Sequence, residues 1–306
     1  MRIRLGHSPD ADDAFMFYGL SHGLVETNGF EFEHVLLDIQ TLNDKARRGE
    51  LEITAISAAA YPYVRGLYDL TRCGGSFGDN YGPMVVSARP VEPVDLRRLT
   101  VAIPGRLTSA CLALRLFCPE VKTKVMPFDA ILPAVAAGEV EAGLIIHEGQ
   151  LTYSQSGLHL VIDLGKWWYE QTHGLSGGGN AQSHGLSEPA NADSRAQGSA
   201  PSDGGLPLPL GVNAVRRDLG EATCATLSKI LLESIRCSLA HRAESLRHAL
   251  SYSRGLESET ADRFVGMYVN ELTLDMGPRG LAGLEEFFAR GQKAGLIPPA
   301  LPVRVV

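Results

Sequence analysis

The stretch Gly138-Glu139-Val140-Glu141-Ala142-Gly143-Leu144-Ile145-Ile146-His147-Glu148 decides the fold that this sequence predicts. Its pattern predicts a helix end, a tight turn, a short apolar strand and a histidine at the carboxyl end of that strand. An earlier stretch, Gly49-Glu50-Leu51-Glu52-Ile53-Thr54-Ala55-Ile56-Ser57-Ala58, has nearly the same pattern. Aligning the two Gly-Glu pairs sets Ser57 opposite Ile146. The repeat predicts two similar lobes that face each other across a cleft.

Strand and helix patterns alternate along the rest of the chain, which is typical of βαβ units and largely parallel sheets. We predict a first lobe of residues 1–92 and 207–306 and a second lobe of residues 93–206. The C-terminal helices are expected to return to the first lobe. This α/β arrangement has two crossovers between the lobes and an active site in the interlobe cleft. It resembles the two-lobe type II periplasmic-binding-protein fold.

The remaining elements follow from apolar periodicity and turn residues. Gly74–Gly82 is rich in glycine and is predicted as a loop. The segments predicted as strands are Arg2–Gly6, Phe30–Leu37, Pro83–Ala88, Lys122–Met126, Leu160–Leu164 and Pro207–Val215, and those predicted as helices are Ala14–Leu20, Ile39–Arg48, Ala110–Phe117, Asp129–Ala137, Thr226–His241, Glu244–Tyr252, Glu259–Val269 and Leu281–Ala294.

The segment from Leu175 to Gly205 differs from the rest of the chain in composition. It consists of glycine, serine, alanine, asparagine and proline with almost no large apolar side chain. Such a segment buries too little surface to offset the entropy that ordering costs. We therefore expect residues 175–205 to form a disordered insertion in the second lobe.

Composition limits the partners that we expect. Of the 306 residues, 44% are hydrophobic and 21% are charged, and the net charge is −7. The basic residues form no run or stripe, so we expect no nucleic-acid binding. No window approaches the roughly 18 apolar residues that a membrane helix needs, and the N-terminus has no apolar leader. We therefore expect a cytoplasmic protein that acts on a small molecule and does not contact a membrane.

The sequence offers little support for a metal or a nucleotide cofactor. The five cysteines are odd in number and contain no CxxC pair, which favours neither a disulfide framework nor a zinc site. The phosphate-binding loop GxxxxGK[ST] is missing, as are the dinucleotide loop GxGxxG after a strand and the hydrolase elbow GxSxG. Asp10, Asp12 and Asp13 follow His7, but their spacing matches no standard metal loop. We expect one of these aspartates to cap the next helix and another to face the cleft.

His147 is the first candidate for chemistry. It follows a strand beside a lobe boundary, where open α/β sheets place ligands. A histidine side chain titrates near pH 6.5, and it therefore suits general-base catalysis. A hydrogen-bonded structural histidine is the alternative, and both interpretations stay open at this point. Glu148 is left out of the candidate site, because neighbours on a strand point to opposite faces.

Three hydroxyl side chains are candidates for binding a substrate. Thr108 and Ser109 follow a glycine turn and begin a helix, where free backbone N–H groups suit a substrate carboxylate. Ser57 ends the corresponding strand of the first lobe. The alternative for Thr108 and Ser109 is a plain helix cap, and the role of Ser57 is equally open.

Several segments resemble one known family. They are Ile146-His147-Glu148-Gly149-Gln150-Leu151-Thr152-Tyr153, Asp163-Leu164-Gly165-Lys166-Trp167-Trp168, Gly205-Leu206-Pro207-Leu208-Pro209-Leu210-Gly211, and Ser8-Pro9 with Asp13 and Phe15. On these segments the chain is similar to the 1,4-dihydroxy-6-naphthoate synthase family. The resemblance covers nearly the whole chain apart from residues 175–205.

The resemblance implies an enzyme of the futalosine route to menaquinone. Such a lyase converts cyclic dehypoxanthine futalosine to 1,4-dihydroxy-6-naphthoate and releases dihydroxyacetone, without a metal or a redox cofactor. It further implies that His147 is the proton acceptor. The residues that it implies as substrate contacts are Ala55, Ile56 and Ser57 in the first lobe and Thr108 and Ser109 in the second, with Asp13 in the cleft.

The chain departs from the family pattern at two places in the first lobe. The turn after Ser8-Pro9 is Asp10-Ala11-Asp12-Asp13-Ala14, where the family usually has Cys-Pro-Asn-Asp-Thr. Ala55 stands where a lysine is expected. A substrate that carries a carboxylate would find one cation fewer and two acids more. The same reaction on the same substrate and a reaction on a related substrate therefore both stay open.

Two other functions fit the same fold. A solute-binding protein would deliver a small ligand to a transporter, but such proteins work outside the cytoplasm and need a leader. A chorismate dehydratase-like enzyme would belong to the same pathway. The His-Glu-Gly-Gln-Leu-Thr-Tyr segment favours the synthase over the dehydratase.

Overall fold

Two β-sheets flanked by helices form the frame of the protein. The structure is a computed structural model, and it describes residues 1–175, 204–252 and 257–306. The insertion predicted at 175–205 therefore falls largely outside the described residues. At its C-terminal end, Gly205 is buried and its carbonyl accepts a hydrogen bond from Arg279 Nη2 at 2.9 Å. The prediction extended the insertion too far at that end.

The elements alternate along the chain as α/β proteins require. The described strands are β1 (Arg2–His7), β2 (Glu31–Leu36), β3 (Ile53–Ser57), β4 (Tyr68–Leu70), β5 (Ser76–Gly78), β6 (Met84–Ser87), β7 (Thr100–Ile103), β8 (Lys122–Val125), β9 (Ala142–Ile145), β10 (His159–Asp163) and β11 (Leu208–Arg216). The described helices are α1 (Ala11–Met16), α2 (Tyr18–Ser21), α3 (Ile39–Arg47), α4 (Tyr61–Val64), α5 (Ser109–Phe117), α6 (Phe128–Ala136), α7 (Gly149–Thr152), α8 (Leu164–Gln171), α9 (Glu221–Ala240), α10 (Arg242–Leu250), α11 (Ser258–Tyr268), α12 (Glu271–Leu274) and α13 (Gly277–Lys293).

The first sheet has the strand order β2-β1-β3-β11-β4, and β5 also pairs with β11. Strands β1, β2 and β3 are parallel. The returning strand β11 is antiparallel and lies between β3 and β4. In this register Gly211 lies opposite Ser57, so the returning chain passes the carboxyl end of β3.

The second sheet has the order β10-β6-β9-β7-β8. Strands β7, β8 and β9 are parallel, whereas β6 and β10 are antiparallel to their neighbours. The chain changes sheets between Gly78 and Met84, so β6 pairs in the second sheet although the sequence analysis set residues 1–92 in the first lobe. The apolar run of β6 fits either sheet, and its partner strands lie far away in sequence. The exact lobe boundaries stay a prediction.

The C-terminal helices pack on the first sheet, as predicted. Helices α9, α10 and α11 contact α1, and α9 also contacts β11. Their apolar side chains share one buried cluster with Ile3 and Ile53 of the first sheet and with Phe15 of α1. A second cluster contains Ile56 of the first sheet and Leu144 of the second. Apolar packing is therefore continuous across the junction of the two sheets.

The predicted order of elements is confirmed for most of the chain, with differences at turns. The helix predicted at Ala14–Leu20 begins at Ala11 and is divided at Phe17. The loop predicted at Gly74–Gly82 contains β5. Helix α8, which begins with the Leu-Gly-Lys-Trp-Trp segment, was not predicted.

Gly165, in the first turn of α8, packs against the segment between Gly78 and Met84 where the chain crosses between the sheets. A Cβ atom on Gly165 would lie 1.9 Å from the carbonyl oxygen of Tyr81 and 2.0 Å from its carbonyl carbon. Asp163 caps this start of α8, because its carboxylate accepts from the N–H groups of Gly165 and Lys166 at 2.9 and 3.0 Å. Only a residue without a side chain allows the two backbones to approach this closely.

We expect Gly165→Ala to lower the free energy of unfolding by about 3 kcal/mol, because the clash is with backbone and neither segment can give way cheaply. Urea unfolding followed by circular dichroism measures the change. Gly66→Ala is the matched control, since a Cβ there meets nothing within 4 Å. Equal stability of the two variants would contradict the role assigned to the close approach.

Candidate active site

A cavity lies between the two sheets, at the carboxyl ends of β1, β3 and β9. It encloses about 120 Å³. Ser8 and Ser57 line it from the first sheet, and Thr108 and Ile146 line it from the second. Tyr268 of α11 completes one side. The cavity occupies the cleft in which the sequence predicts the active site.

Most of the implied substrate contacts line this cavity, and two predicted residues do not. The lining residues among them are Asp13, Ala55, Ser57, Thr108 and Ser109. Ile56 is fully buried in the apolar cluster at the junction of the sheets, because it points to the opposite face of β3. His147 lies next to the cavity lining and is described below.

The Ser57 hydroxyl is oriented by a buried asparagine. Asn43 Nδ2 donates to Ser57 Oγ at 3.0 Å, and the backbone N–H of Ser57 donates to Asn43 Oδ1 at 2.8 Å. Since the hydroxyl oxygen accepts from the amide, its own proton can be donated into the cavity. Sequence reasoning missed Asn43, although an asparagine at helical spacing from Ile39 and Ala46 on the apolar face of the predicted helix was a usable signal.

The hydroxyl groups of Thr108 and Ser109 are already engaged. Thr108 Oγ1 donates to Gly105 O at 2.9 Å and accepts from Cys111 N at 3.2 Å, which makes it the cap of α5. Ser109 Oγ donates to Leu210 O at 2.6 Å and accepts from the N–H of Ala59 at 3.1 Å. The groups left to bind an anion are therefore the N–H groups of the first turn of α5.

The acidic turn faces the cavity. The backbone N–H of Ser8 donates to Asp13 Oδ2 at 2.6 Å, and the Ser8 hydroxyl donates to Asp10 Oδ2 at 2.5 Å. Asp10 occupies the cap position of α1, but within the described residues its carboxylate makes no capping bond to that helix. The expectation that an aspartate caps this helix is therefore wrong. Asp10, Asp12 and Asp13 all line the cavity instead.

The local charge of this wall is smaller than three carboxylates suggest. Burial in the cleft raises the pKa of Asp12 well above its ordinary value of 3.8, and the neighbouring Asp13, Asp10 and Glu148 raise it further. Burial also raises the pKa of Asp13 to about 7, despite the opposing hydrogen bond from Ser8. A carboxyl group that titrates near neutral pH can hold or accept a proton during a reaction.

His147 lies beyond the end of β9, in the turn that leads to α7. Its ring is outside the cavity lining, whereas Ile146 and Gln150 on either side belong to it. Phe128 packs edge-on against the ring at 5.6 Å between centroids. The N–H of Gly149 donates to His147 Nδ1 at 3.0 Å. In this arrangement the neutral ring therefore carries its proton on Nε2.

Glu148 lies closer to His147 than the sequence argument allowed. Its Oε2 is 3.7 Å from His147 Nδ1, and both side chains are largely buried. The argument from alternating strand faces was wrong because β9 ends at Ile145, so the two residues belong to a turn. Glu148 therefore belongs to the immediate surroundings of the His147 ring.

Gln150 and Tyr268 are further cavity residues that sequence reasoning did not identify. Tyr268 Oη donates to Gln150 Oε1 at 2.8 Å. Gln150 belongs to the quoted His-Glu-Gly-Gln segment, so its proximity to His147 was a usable signal. Nothing in the sequence indicated that Tyr268, more than a hundred residues later, would reach the same site.

The described part of the chain contains neither a cluster of metal ligands nor a helix that could span a membrane. Across residues 1–175, 204–252 and 257–306, no three His, Cys, Asp or Glu side chains converge as metal ligands would. Among the helices described there, none has the length and apolar character needed to cross a membrane.

Fold and cleft together define a two-lobe α/β protein of the periplasmic-binding-protein-like class. The solved alkanesulfonate-binding protein from Xanthomonas axonopodis matches with a TM-score of 0.66 and 13% identity, covering 99% of this chain and 96% of that one. A solved protein from Archaeoglobus fulgidus matches with a TM-score of 0.83 and 41% identity, covering 97% of this chain and 98% of that one. The predicted fold class is confirmed.

Sequence comparisons identify the family. A curated 1,4-dihydroxy-6-naphthoate synthase from Thermus thermophilus is 39% identical over 298 residues, which is 97% of each chain. One from Streptomyces coelicolor is 32% identical over 306 residues, covering 98% of this chain and 96% of the relative. The menaquinone biosynthesis family model matches residues 3–176 and 202–293. The chain belongs to the menaquinone biosynthesis family, and the predicted resemblance is confirmed.

We expect Asp13→Asn to become more stable relative to the wild type as the pH rises from 4 to 7. The folded wild type holds the Asp13 proton up to about pH 7, whereas the unfolded chain releases it near pH 3.8. Folding therefore takes up a proton in this window, and raising the pH lowers the free energy of unfolding. Asparagine removes that dependence. Urea unfolding at a series of pH values measures the difference.

The matched control is Asp129→Asn, because Asp129 is an exposed aspartate in the first turn of α6. Its stability difference from the wild type should change little over the same window. If Asp13→Asn and Asp129→Asn showed the same pH dependence, the assignment of a raised pKa to Asp13 would be wrong.

Proposed function

We propose that this chain converts cyclic dehypoxanthine futalosine to 1,4-dihydroxy-6-naphthoate with release of dihydroxyacetone, a step of menaquinone biosynthesis. The observation that carries the proposal is 39% identity to a curated 1,4-dihydroxy-6-naphthoate synthase over 97% of both chains. All residues that line the cavity lie within the ranges matched by the family model. The proposal includes the cytoplasmic location expected from the sequence.

The proposed reaction requires a base, an oriented substrate and the exclusion of water. A base removes a proton next to an activated carbon, the carbon–carbon bond to the sugar-derived part breaks, and the ring system becomes aromatic. Aromatisation of the substrate supplies the thermodynamic drive. The protein orients the substrate between the lobes and provides the base, which typically contributes about 10²–10⁴-fold to the rate.

The charges of the cavity suggest how the substrate lies. The described lining residues include three aspartates and no lysine, arginine or histidine. A substrate carboxylate therefore finds its best partners at the first turn of α5, where N–H groups of Ser109 and Ala110 are available and the helix dipole is positive. The hydroxyl-bearing part then faces Ser57 and Asp13, which can donate or accept hydrogen bonds.

We assign the proton acceptor to His147. In the structure Nδ1 accepts from the N–H of Gly149, so the lone pair of that nitrogen is occupied. His147 serves as the base when the turn shifts on substrate binding and Nδ1 exchanges this bond for the substrate proton. Glu148 at 3.7 Å then stabilises the imidazolium that forms. Asp13 is the nearest competitor for the role, since it lines the cavity.

We expect wild-type protein to turn over cyclic dehypoxanthine futalosine and His147→Ala to lose about 10²-fold or more in kcat while staying folded. Product absorbance and mass give the rate, and circular dichroism checks the fold. Asp13→Asn should lose less than His147→Ala, because a neutral amide can still accept and donate in the cavity.

Each other result has a definite meaning. If Asp13→Asn abolished turnover and His147→Ala did not, the base would be Asp13. If the wild type bound the compound without converting it, the altered acidic turn would define a different substrate or a binding function. Chorismate-derived acids would then be the next compounds to test.

A further inference from the structure

A hydrogen bond across the cleft joins the His147 turn to the opposite lobe. Tyr268 ends α11, and its hydroxyl donates to Gln150 Oε1 at 2.8 Å. Gln150 follows the second sheet through α7, whereas α11 packs against α1 and α10 beside the first sheet. Both side chains are buried, with about 3% of each residue exposed. The bond is therefore shielded from competing water.

The Gln150 side chain also holds the turn on its own side of the cleft. Its Nε2 donates to the carbonyl of Ile145 at 3.4 Å, at the end of β9. Its backbone N–H donates to the carbonyl of His147 at 2.9 Å. The segment from Ile145 to Gln150 is thus closed into one turn. The Gln150 amide and His147 therefore belong to the same hydrogen-bonded turn.

The Tyr268 side chain is held in place by packing against other aromatic rings. Its ring packs against Phe264 at 5.0 Å and edge-on against Tyr81 at 5.7 Å between centroids. Burial raises the pKa of Tyr268 well above its ordinary value, so the hydroxyl stays protonated and keeps donating. Because packing already fixes the Tyr268 ring, the hydrogen bond to Gln150 costs little additional side-chain conformational entropy.

We propose that the Tyr268–Gln150 hydrogen bond is a positioning contact that sets where the His147 turn lies relative to the cavity wall of the first lobe. Neither residue exchanges a proton with the substrate. The catalytic consequence rests on the proposed function, with His147 as base. The anchoring of the turn itself does not depend on that function.

Other contacts across the cleft hold different parts of it. The N–H of Leu107 donates to Gln40 Oε1 at 3.1 Å, and the N–H of Ala59 donates to Ser109 Oγ at 3.1 Å. Both fix the start of α5, where the substrate carboxylate is proposed to bind. The Tyr268 contact instead reaches the turn that carries the base, so its loss should affect the chemical step more than binding.

The test is Tyr268→Phe, which removes the hydroxyl and keeps the ring. We expect kcat for cyclic dehypoxanthine futalosine to fall roughly 10- to 100-fold with an unchanged KM, because a displaced base impairs the reaction geometry and not the binding contacts. Tyr68→Phe is the matched control. It removes a buried hydroxyl that donates to Leu51 O at 2.7 Å outside the cavity lining, and it should keep the wild-type kcat.

Hydrogen exchange of the backbone amides gives a readout that needs no activity. Amides of residues 145–153 should exchange faster in Tyr268→Phe than in the wild type, and Tyr68→Phe should leave them unchanged. If the wild type failed to turn over the substrate, the proposed function would fall. Faster amide exchange confined to Tyr268→Phe would still show that the Tyr268–Gln150 hydrogen bond holds the His147 turn.

Three results would overturn the proposal. The first is an active wild type whose kcat is unaffected by Tyr268→Phe. The second is a raised KM at constant kcat, which would make this pair a substrate contact. The third is unchanged exchange in residues 145–153, which would show that the bond does not hold the turn.

Discussion

The pairing of β11 with β3 is the constraint on which the cleft depends. This strand returns from the second lobe and enters an otherwise parallel group of strands in antiparallel direction, with Gly211 opposite Ser57. The carbonyl of Leu210 then reaches Ser109 Oγ, at the start of α5 in the other lobe. One strand register therefore brings together Ser57, the returning chain and the first turn of α5. A slip by one residue would turn every side chain of β11 to the opposite face.

The acidic turn becomes compatible with an acidic substrate once its protonation is considered. Asp12 stands where the family pattern given in the sequence analysis has asparagine. Burial, with its acidic neighbours, raises the pKa of Asp12 well above its ordinary value, which shifts this carboxyl group toward its protonated form. A protonated carboxyl group has nearly the shape of an asparagine amide and can also donate one hydrogen bond. The departure from the family pattern therefore adds less negative charge to the cleft than the sequence suggests. A substrate carboxylate is then repelled less, even though alanine replaces the expected lysine at position 55.

Sequence reasoning predicted what depends on local pattern and missed what depends on distant partners. The two-lobe repeat, the order of strands and the position of Ser57 at a strand end follow from periodicity and turns. The sheet chosen by β6 could not be predicted, because its partners β9 and β10 are far away in sequence. For the same reason Tyr268 was missed, although Gln150 belongs to the family segment. The relation of Glu148 to His147 was wrong because the end of β9 was set too late.

The contacts across the cleft link the position of the proposed base to that of the proposed carboxylate site. Gln40 and Ala59 hold the start of α5, and Tyr268 holds the turn after His147 through Gln150. All three belong to the first lobe, so it acts as a common reference for two parts of the second. While these three hydrogen bonds are intact, the start of α5 and the His147 turn are both held at fixed positions relative to Ser57 and Asp13. A change in the angle between the lobes requires at least one of the bonds to break. The distance between the proposed carboxylate site and the proposed base therefore depends on contacts with the first lobe as well as on the second sheet.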